Sequence, residues 1–423
     1  MHWIEKFEVT GFWGNHDFGA RLNSDVTFFI GPNGTGKTTL INLIAASLYC
    51  DFATLIRLPF KSITLTLKNG RSSQRSTITV QKRPVKDLPF ETINYEIRAA
   101  GSSVVKFSLE DVEERIHVRY REMPRRYIED AFRHYYPGLP KKLKELVSVC
   151  WLSIHRAPLS SRNEDRTYES SVDQRIADLS NELVKYISLL SRRKDEQVAR
   201  LQEFIFLSLL KEMGVARLLR NYKKEETEKQ VAAMAEIFRE LHVAEDRFEE
   251  YLSSFFNASD AISRKRPDRI SLADIENLAS RWRITTIIDE WEKYKNQIDI
   301  IYADKDRFEA IVNEMFIRKE LKITQTNEIQ FKTRSDKILT PSMLSSGEKQ
   351  MLILLGEALL QRGQPFVYIA DEPELSLHVT WQEKLIDSIL SLNKSAQVIC
   401  ATHSPDIVGR RVAKVIDMGK LIP

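Results

Sequence analysis

Leu344-Ser-Ser-Gly-Glu-Lys-Gln350, an apolar run to Leu360, and Phe366-Val-Tyr-Ile-Ala-Asp-Glu-Pro-Glu-Leu-Ser-Leu-His378 form the stretch whose reading settles the fold. Ser345 stands three residues before Glu348, the spacing of a capping box, so the sequence predicts a helix from Gly347 through Leu360 that stops near Gly363. The start of a helix presents free N–H groups and the positive end of its dipole. The small residues Ser345, Ser346 and Gly347 would let an anion approach that backbone closely. Phe366 to Ala370 is short and continuously apolar, the pattern of a strand buried on both faces, and it runs into two acids, Asp371 and Glu372. A capped helix and a core strand account for the apolar residues. They give no packing reason for two carboxylates at the carboxyl end of a buried strand, so these are candidates for chemistry.

The chain has 423 residues, more than one typical domain, which predicts a large α/β domain with an insertion, or two domains. With 43% hydrophobic and 29% charged residues it reads as a globular protein with a long charged helical part. No apolar run reaches the length that spans a bilayer, and the opening Met-His-Trp-Ile-Glu-Lys-Phe lacks the apolar core of a signal peptide. The expected location is therefore the cytoplasm, without a membrane partner. Cys50, Cys150 and Cys400 have no metal spacing, and an odd count offers no disulfide framework, so they read as reduced core residues. A net charge of +4 spread over this length does not by itself argue for nucleic acid.

Upstream, residues 4 to 10 alternate as a strand does, and Val26 to Ile30 form a second strand. That strand leads into Gly31-Pro32-Asn33-Gly34-Thr35-Gly36-Lys37-Thr38-Thr39, a complete Gly-x-x-x-x-Gly-Lys-Thr phosphate loop, followed by the apolar helical run Leu40 to Leu48. Glycines let backbone N–H groups wrap a phosphate chain, Lys37 neutralises its outer charges, and the Thr38 hydroxyl can ligate Mg²⁺. From Lys61 to Phe107 alternating runs separated by turns predict an antiparallel side lobe. Residues 121 to 145 mix cations and aromatics, including Arg125, Arg126, Tyr127 and Lys141, but acids interrupt the run, as in a solvated helical surface. Leu146 to Ile154 is a further strand candidate, ending at His155-Arg156.

Beyond the connection Ser160 to Ser171, residues 172 to about 257 carry helical periodicity with almost no Gly or Pro. One apolar series is Val172, Ile176, Leu179, Leu183 and Ile187; a second is Leu201, Phe204, Leu207 and Leu210. Lys223 to Tyr251 suits an exposed antiparallel hairpin, too short for a long coiled-coil arm, and Arg264 to Arg269 is a basic loop. Helical character resumes from Leu272 to Leu321, and an extended segment covers Ile329 to Thr333. Past His378 come a helix from Trp381 to Leu392, a buried strand from Gln397 to Ala401 ending at Thr402-His403, and a last strand from Ala413 to Met418.

Lys37 and Asp371 are each placed at strand ends of one expected sheet, where open α/β folds assemble ligand sites. In that arrangement the loop holds a nucleoside triphosphate, and Thr38 and Asp371 position Mg²⁺. Glu372 orients or deprotonates the attacking water, and His403 hydrogen-bonds the γ-phosphate or that water. A carboxylate beside a metal-binding carboxylate is a candidate general base.

The ordered set of Gly31 to Thr38, Leu344-Ser-Ser-Gly-Glu348, Ile369-Ala-Asp-Glu-Pro-Glu374, Leu375-Ser-Leu-His378 and Thr402-His-Ser404 resembles the ATP-binding cassette superfamily, in its soluble SMC/RecF-like branch. Within it the set is most similar to the overcoming-lysogenization-defect (OLD-type) and Septu PtuA-like antiphage ATPases. The resemblance implies an α/β ATPase head with a mixed or parallel central sheet, an antiparallel side lobe and an inserted helical subdomain. Its expected parts are an N-terminal ATPase lobe over 1–156, the insertion over 157–325 and a C-terminal lobe over 326–423. It implies ATP and Mg²⁺ as cofactors, and a signature loop of Ser345, Ser346, Gly347 and Glu348 that meets the γ-phosphate held by a second copy of the chain. ATP would lie between head-to-tail protomers, in a dimer or a higher homo-oligomer, with Ser376 and His378 in the segment crossing that interface.

Three departures bear on this expectation. Glu348 stands where the superfamily has Gln, adding a negative charge. The glutamine that the resemblance implies on the loop after the side lobe is not evident, and His155-Arg156 is the candidate for its place. The chain also ends 20 residues past His403 (423 − 403), where OLD-type enzymes carry a Toprim nuclease. The function expected is an ATP-hydrolysing regulatory subunit of an antiphage complex, gating a separate effector such as an HNH nuclease. The alternatives are a RecF-like ATPase that binds DNA and a non-hydrolysing scaffold assembled by ATP.

Overall fold

The computed structural model describes residues 2–70, 74–84, 91–101, 103–107, 138–152, 171–211, 227–240, 243–262, 265–266 and 269–422. His155-Arg156, most of the segment 121–145, and the connection after Ile154 lie outside the described residues. The chain divides into one unit of Met1–Val184 with Asp304–Pro423 and a second of Lys185–Ala303.

The first unit is built on two large sheets. Strands β1 (His2–Phe12), β2 (His16–Arg21), β4 (Ser62–Asn69), β5 (Arg75–Pro84), β6 (Glu91–Arg98) and β7 (Val104–Phe107) pair antiparallel in the order β2-β1-β4-β5-β6-β7. Strands β3 (Val26–Ile30), β8 (Val149–Leu152), β12 (Phe366–Asp371), β13 (Ala396–Ala401) and β14 (Val415–Asp417) form a five-stranded parallel sheet in the order β14-β3-β13-β12-β8. A three-stranded antiparallel sheet of β9 (Lys319–Ile323), β10 (Ile329–Thr333) and β11 (Ile338–Leu339) precedes the Leu344 stretch. The architecture is thus mixed α/β with a parallel central sheet, an antiparallel lobe and inserted helices, the class read from the sequence.

Helix α1 (Lys37–Tyr49) explains how the two large sheets cohere. It is apolar around most of its circumference, with Leu40, Ile41, Leu43, Ile44, Ala45 and Ala46 fully buried. A helix apolar all round must be covered on every side. It shares one core with Phe7, Ile63, Leu65 and Ile78 of the antiparallel sheet and with Val367, Ile369 and Ile399 of the parallel sheet. Each such Leu or Ile contributes roughly 1.5–3 kcal/mol when fully buried. The helix that follows the phosphate loop is therefore held on both sides by the core. Helix α2 (Phe52–Arg57) caps on Asp51, whose side chain accepts from Thr54 N–H at 3.0 Å, and α3 (Gly138–Leu146) adds Leu139 and Leu143 to the same core.

Buried Gln397 fastens the parallel sheet to β1. Its side-chain oxygen accepts from Ile4 N–H at 2.9 Å, and its amide donates to Ile4 O at 2.9 Å and Asn23 O at 2.7 Å. Gln397→Met preserves the volume and strands those three backbone groups. The expected loss is about 2–4 kcal/mol, seen as a lowered calorimetric transition for this unit; an unchanged transition would show that the bonds contribute nothing.

The second unit holds the rest of α4 (Ser171–Leu209) with α5 (Thr227–Glu240), α6 (Glu245–Ile262) and most of α7 (Leu272–Met315). Its core is Phe248, Leu252 and Phe256 with Ile237, Ile288 and Trp291 in a neighbouring cluster. Arg281 is tied by hydrogen bonds to Asp260, Thr227 and Gln230. The periodicity that places Leu207 and Leu210 in a core face is not matched: they stand 59% and 80% exposed among the described residues.

Several boundaries also differ from the sequence reading. Leu146 ends α3, and the strand read from there begins at Val149. Helix α7 ends at Met315, because residues 319–323 pair with β10. The last strand is confined to Val415–Asp417, since Asp417 accepts from Gly419 N–H and caps a short helix at Met418.

Candidate nucleotide site

Strand register brings the chemistry together. In the parallel sheet Asp371 is level with Ala401, and Ala401 with Phe29. The carboxyl ends of three adjacent strands therefore open in one row: β3 into Gly31, β13 into Thr402-His403, and β12 into Glu372. Ligand sites of parallel sheets form at such ends.

On β3 the phosphate loop turns directly into α1 (Lys37–Tyr49). Gly36, its N-cap, has φ +85°, and a Cβ there would come within 2.9 Å of the Phe12 ring, so both conformation and space require glycine. Lys37 is buried; its Nζ donates to Gly31 O at 2.8 Å and Pro32 O at 3.0 Å. Burial lowers the Lys37 pKa from its usual value, while the negative charges of Glu372 and Asp371 act in the opposite direction. The Thr38 hydroxyl donates to Asp371 Oδ1 at 3.1 Å. Burial pushes the Asp371 carboxyl above its ordinary range; the Thr38 hydrogen bond opposes this, and Glu372 and Glu374 add to it.

Glu372 follows at φ +47°, a left-handed conformation that is unfavourable for a non-glycine residue, and its N–H donates to Ala401 O at 2.8 Å. The strained turn swings its side chain toward β13, where His403 Nε2 lies 3.5 Å from Glu372 Oε1. Sequence reading named Lys37, Thr38, Asp371, Glu372 and His403, and the structure puts them in one place.

Ser345, Ser346, Gly347 and Glu348 form a second group. Helix α8 (Ser346–Leu360) begins with the expected capping box on Ser345. Gly347 lies against the following loop so closely that a Cβ would come within 2.4 Å of Ser376 O. Ser376 itself has φ +70°, and His378 caps helix α9 (Val379–Leu392) through Nδ1. Among the described residues no hydrogen bond or ion pair joins 345–348 to 31–39, so the two groups are separate within this chain. Gln350, buried on α8, donates to Pro373 O at 2.7 Å and links the helix to the loop that carries Glu372.

The charge of Glu348 is not free. Lys319 Nζ on β9 sits 2.6 Å from both of its oxygens, and Ser345 N–H and Oγ donate to Oε2 at 2.9 and 2.7 Å. Burial pushes this carboxyl up, but the Lys319 and Ser345 contacts prevail and its pKa is lowered. A lowered pKa contributes stability above the unfolded value, near 4.3, that is lost as pH falls through the folded one. Glu348→Gln is therefore expected to lower the melting temperature at pH 7 and to have a shrinking effect below about pH 4. A pH-independent difference would show that the ion pair is not the cause.

The residues missed by sequence reading are Glu374, Gln350 and Lys319. Glu374 was visible as the third acid of Asp-Glu-Pro-Glu; Lys319 had no local signal, because its partner is 29 positions away.

The donors fit Mg²⁺: Thr38 and Asp371 offer hard oxygens only, and no cluster of three or more His, Cys, Asp or Glu suitable for a metal exists among the described residues. Mg²⁺ characteristically takes one or two protein oxygens and completes its shell with phosphate and water.

The AAA ATPase domain family matches residues 3–408. The chain belongs to that family. No curated protein matches it. Similar solved structures include the Smc head domain of Pyrococcus furiosus with an extended coiled coil, bound to the C-terminal domain of ScpA. It has 14% identity and a TM-score of 0.40, over 99% of this chain and 93% of that one. Another is the Smc head of Pyrococcus yayanosii with a coiled coil and joint, at 15% identity and a TM-score of 0.37, over 99% of this chain and 95% of that one. No helix among the described residues of this ATPase-family chain is long and apolar enough to cross a membrane.

Proposed function

We propose that this chain binds ATP with Mg²⁺ and hydrolyses it, as the regulatory subunit of an antiphage complex that gates a separate effector nuclease of HNH type. The observation that carries the reaction is the meeting of Thr38 with Asp371, at 3.1 Å, and of His403 with Glu372, at 3.5 Å, at adjacent strand ends. The loop N–H groups and Lys37 bind the triphosphate. Thr38 and Asp371 would hold Mg²⁺, which would supply Lewis-acid stabilisation of the phosphoryl oxygens. Glu372 takes the proton of the attacking water, and His403 donates to the transferring phosphate.

The serine-rich start of α8 has its own site to complete. In the proposed head-to-tail dimer, Ser345 and Gly347 of one protomer close on the γ-phosphate held by Lys37 of the other. Gly347 against Ser376 keeps both trans-facing segments in one rigid piece. Mixing two inactive variants tests this: Lys37→Met and Ser346→Arg should together recover ATP turnover, because a mixed dimer contains one intact composite site. No recovery after subunit exchange would overturn shared sites. The effector is tested by isolating the tagged chain with its chromosomal neighbours: a nuclease retained in a nucleotide-dependent way is expected, and recovery of the chain alone under every nucleotide condition would contradict gating.

A further inference from the structure

We infer that Glu374 is a positioning residue that acts through His403, an inference that rests on the hydrolytic reading above. The residue is only 9% exposed and stands three positions past Asp371, on the turn that leaves β12. Its Oε1 accepts three hydrogen bonds from one short segment: Thr402 Oγ1 at 2.6 Å, His403 N–H at 2.9 Å and Ser404 N–H at 3.3 Å. A single carboxylate oxygen thus fixes the backbone on both sides of the histidine.

That anchoring matters because His403 has little else to hold it. Its side chain is 40% exposed and meets Glu372 at 3.5 Å. The position of the imidazole depends on its backbone, whose N–H is held by Glu374, while Thr402 N–H donates to Phe29 O at 3.1 Å and Ser404 N–H also donates to Thr402 Oγ1 at 2.9 Å. The clamp also spans the two strands: Glu374 leaves β12 close behind Glu372, whereas His403 leaves β13. One carboxylate therefore fixes the separation between the base and the imidazole. Ser404 extends the network, since its Oγ donates to Gln382 Oε1 at 2.7 Å while Gln382 Nε2 donates to Leu377 O at 2.9 Å. The turn carrying Glu372 and the segment carrying His403 are in this way one hydrogen-bonded piece.

A packing role alone does not explain the choice of residue. Glu374 Oε2 is buried with no hydrogen-bond partner among the described residues, which is unfavourable for a carboxylate. A smaller apolar residue would avoid that burial, but it would leave the His403 N–H and the Thr402 hydroxyl without their acceptor, while Thr402 N–H keeps Phe29 O and Ser404 N–H keeps Thr402 Oγ1.

The test uses the full chain, labelled with ¹³C at histidine Cε1, with the His403 resonance assigned by its loss in His403→Gln. Glu374→Ala should shift or broaden that resonance and leave the other seven in place (8 − 1). Its kcat for MgATP should fall about 100-fold, with KM changed by less than about 3-fold. Glu374→Gln, which retains an acceptor oxygen, should restore at least about tenfold of the loss. The double variant Glu374→Ala/His403→Ala should be no slower than His403→Ala, as expected of two residues acting in one chain of effect. An unmoved His403 resonance, or losses that multiply in the double variant, would overturn the inference. A wild-type chain that does not turn over ATP would overturn the hydrolytic reading instead, and the histidine spectra would still decide the role of Glu374. If Glu374→Ala does not fold, Glu374→Gln and Glu374→Thr carry the same spectral comparison.

Discussion

Glu372→Gln is expected to slow ATP turnover by about 10²–10⁴-fold, the range a positioned general base contributes, while leaving nucleotide binding intact. The amide keeps the shape of the side chain and the left-handed turn at φ +47°, so the loop should not rearrange. It removes the proton acceptor that faces His403 at 3.5 Å. It also takes one negative charge away from Lys37 and Asp371, both of which feel Glu372. Affinity for a tetra-anionic nucleotide should therefore rise or stay level as kcat falls. Phosphate release and equilibrium binding on the same preparation separate the two. Turnover within a factor of about three of wild type would remove Glu372 from the base role.

The second large effect concerns Lys37. Its ammonium is desolvated and held by Gly31 and Pro32 carbonyls, aimed along the loop that the glycines leave open. Hydrogen bonds to a charged group are each worth about 1.5–3 kcal/mol, so Lys37→Met should weaken triphosphate binding about 10²-fold or more. The thioether chain fills the same buried channel without a desolvated charge, so the melting temperature of the nucleotide-free protein should hold or rise. The rise in melting temperature that ATP gives the wild type should disappear. Loss of fold, or unchanged ATP stabilisation, would contradict this account of Lys37.

Much of this site was legible in the chain itself because its parts are local. The phosphate loop, the capping box at Ser345 and the acids ending β12 each lie within a few residues and obey turn, cap and strand rules that need no tertiary knowledge. Their meeting was legible too, since each sits at the end of an apolar strand and parallel strands open their ligand sites at one edge. What escaped depends on long-range pairing. The ion pair of Lys319 with Glu348, the clamp of Gln397 on Ile4, and the grip of Glu374 on the Thr402 segment join residues 29, 393 and about 28–30 positions apart. No periodicity records such partners.

Element ends were misjudged for the same reason. Residues 319–321 read as the end of the helical segment Leu272 to Leu321, yet pairing with β10 made 319–323 a strand. Ala413, Lys414 and Met418 read as strand but lie in short helical turns, the first within Val412–Lys414 and the second beginning at Met418, where Asp417 caps it. The antiparallel lobe was expected over Lys61 to Phe107, whereas β1 and β2 also belong to it, a consequence of the pairing of β1 with β4.

The most direct test is anomalous scattering from crystals grown with Mn²⁺ and a non-hydrolysable ATP analogue. The account predicts one Mn²⁺ peak at the Thr38 hydroxyl and the Asp371 carboxylate, with Glu372 and His403 facing the terminal phosphate and Lys37 turned from Gly31 and Pro32 to that phosphate. Nucleotide or Mn²⁺ bound away from the strand ends that carry Lys37 and Asp371 would contradict it.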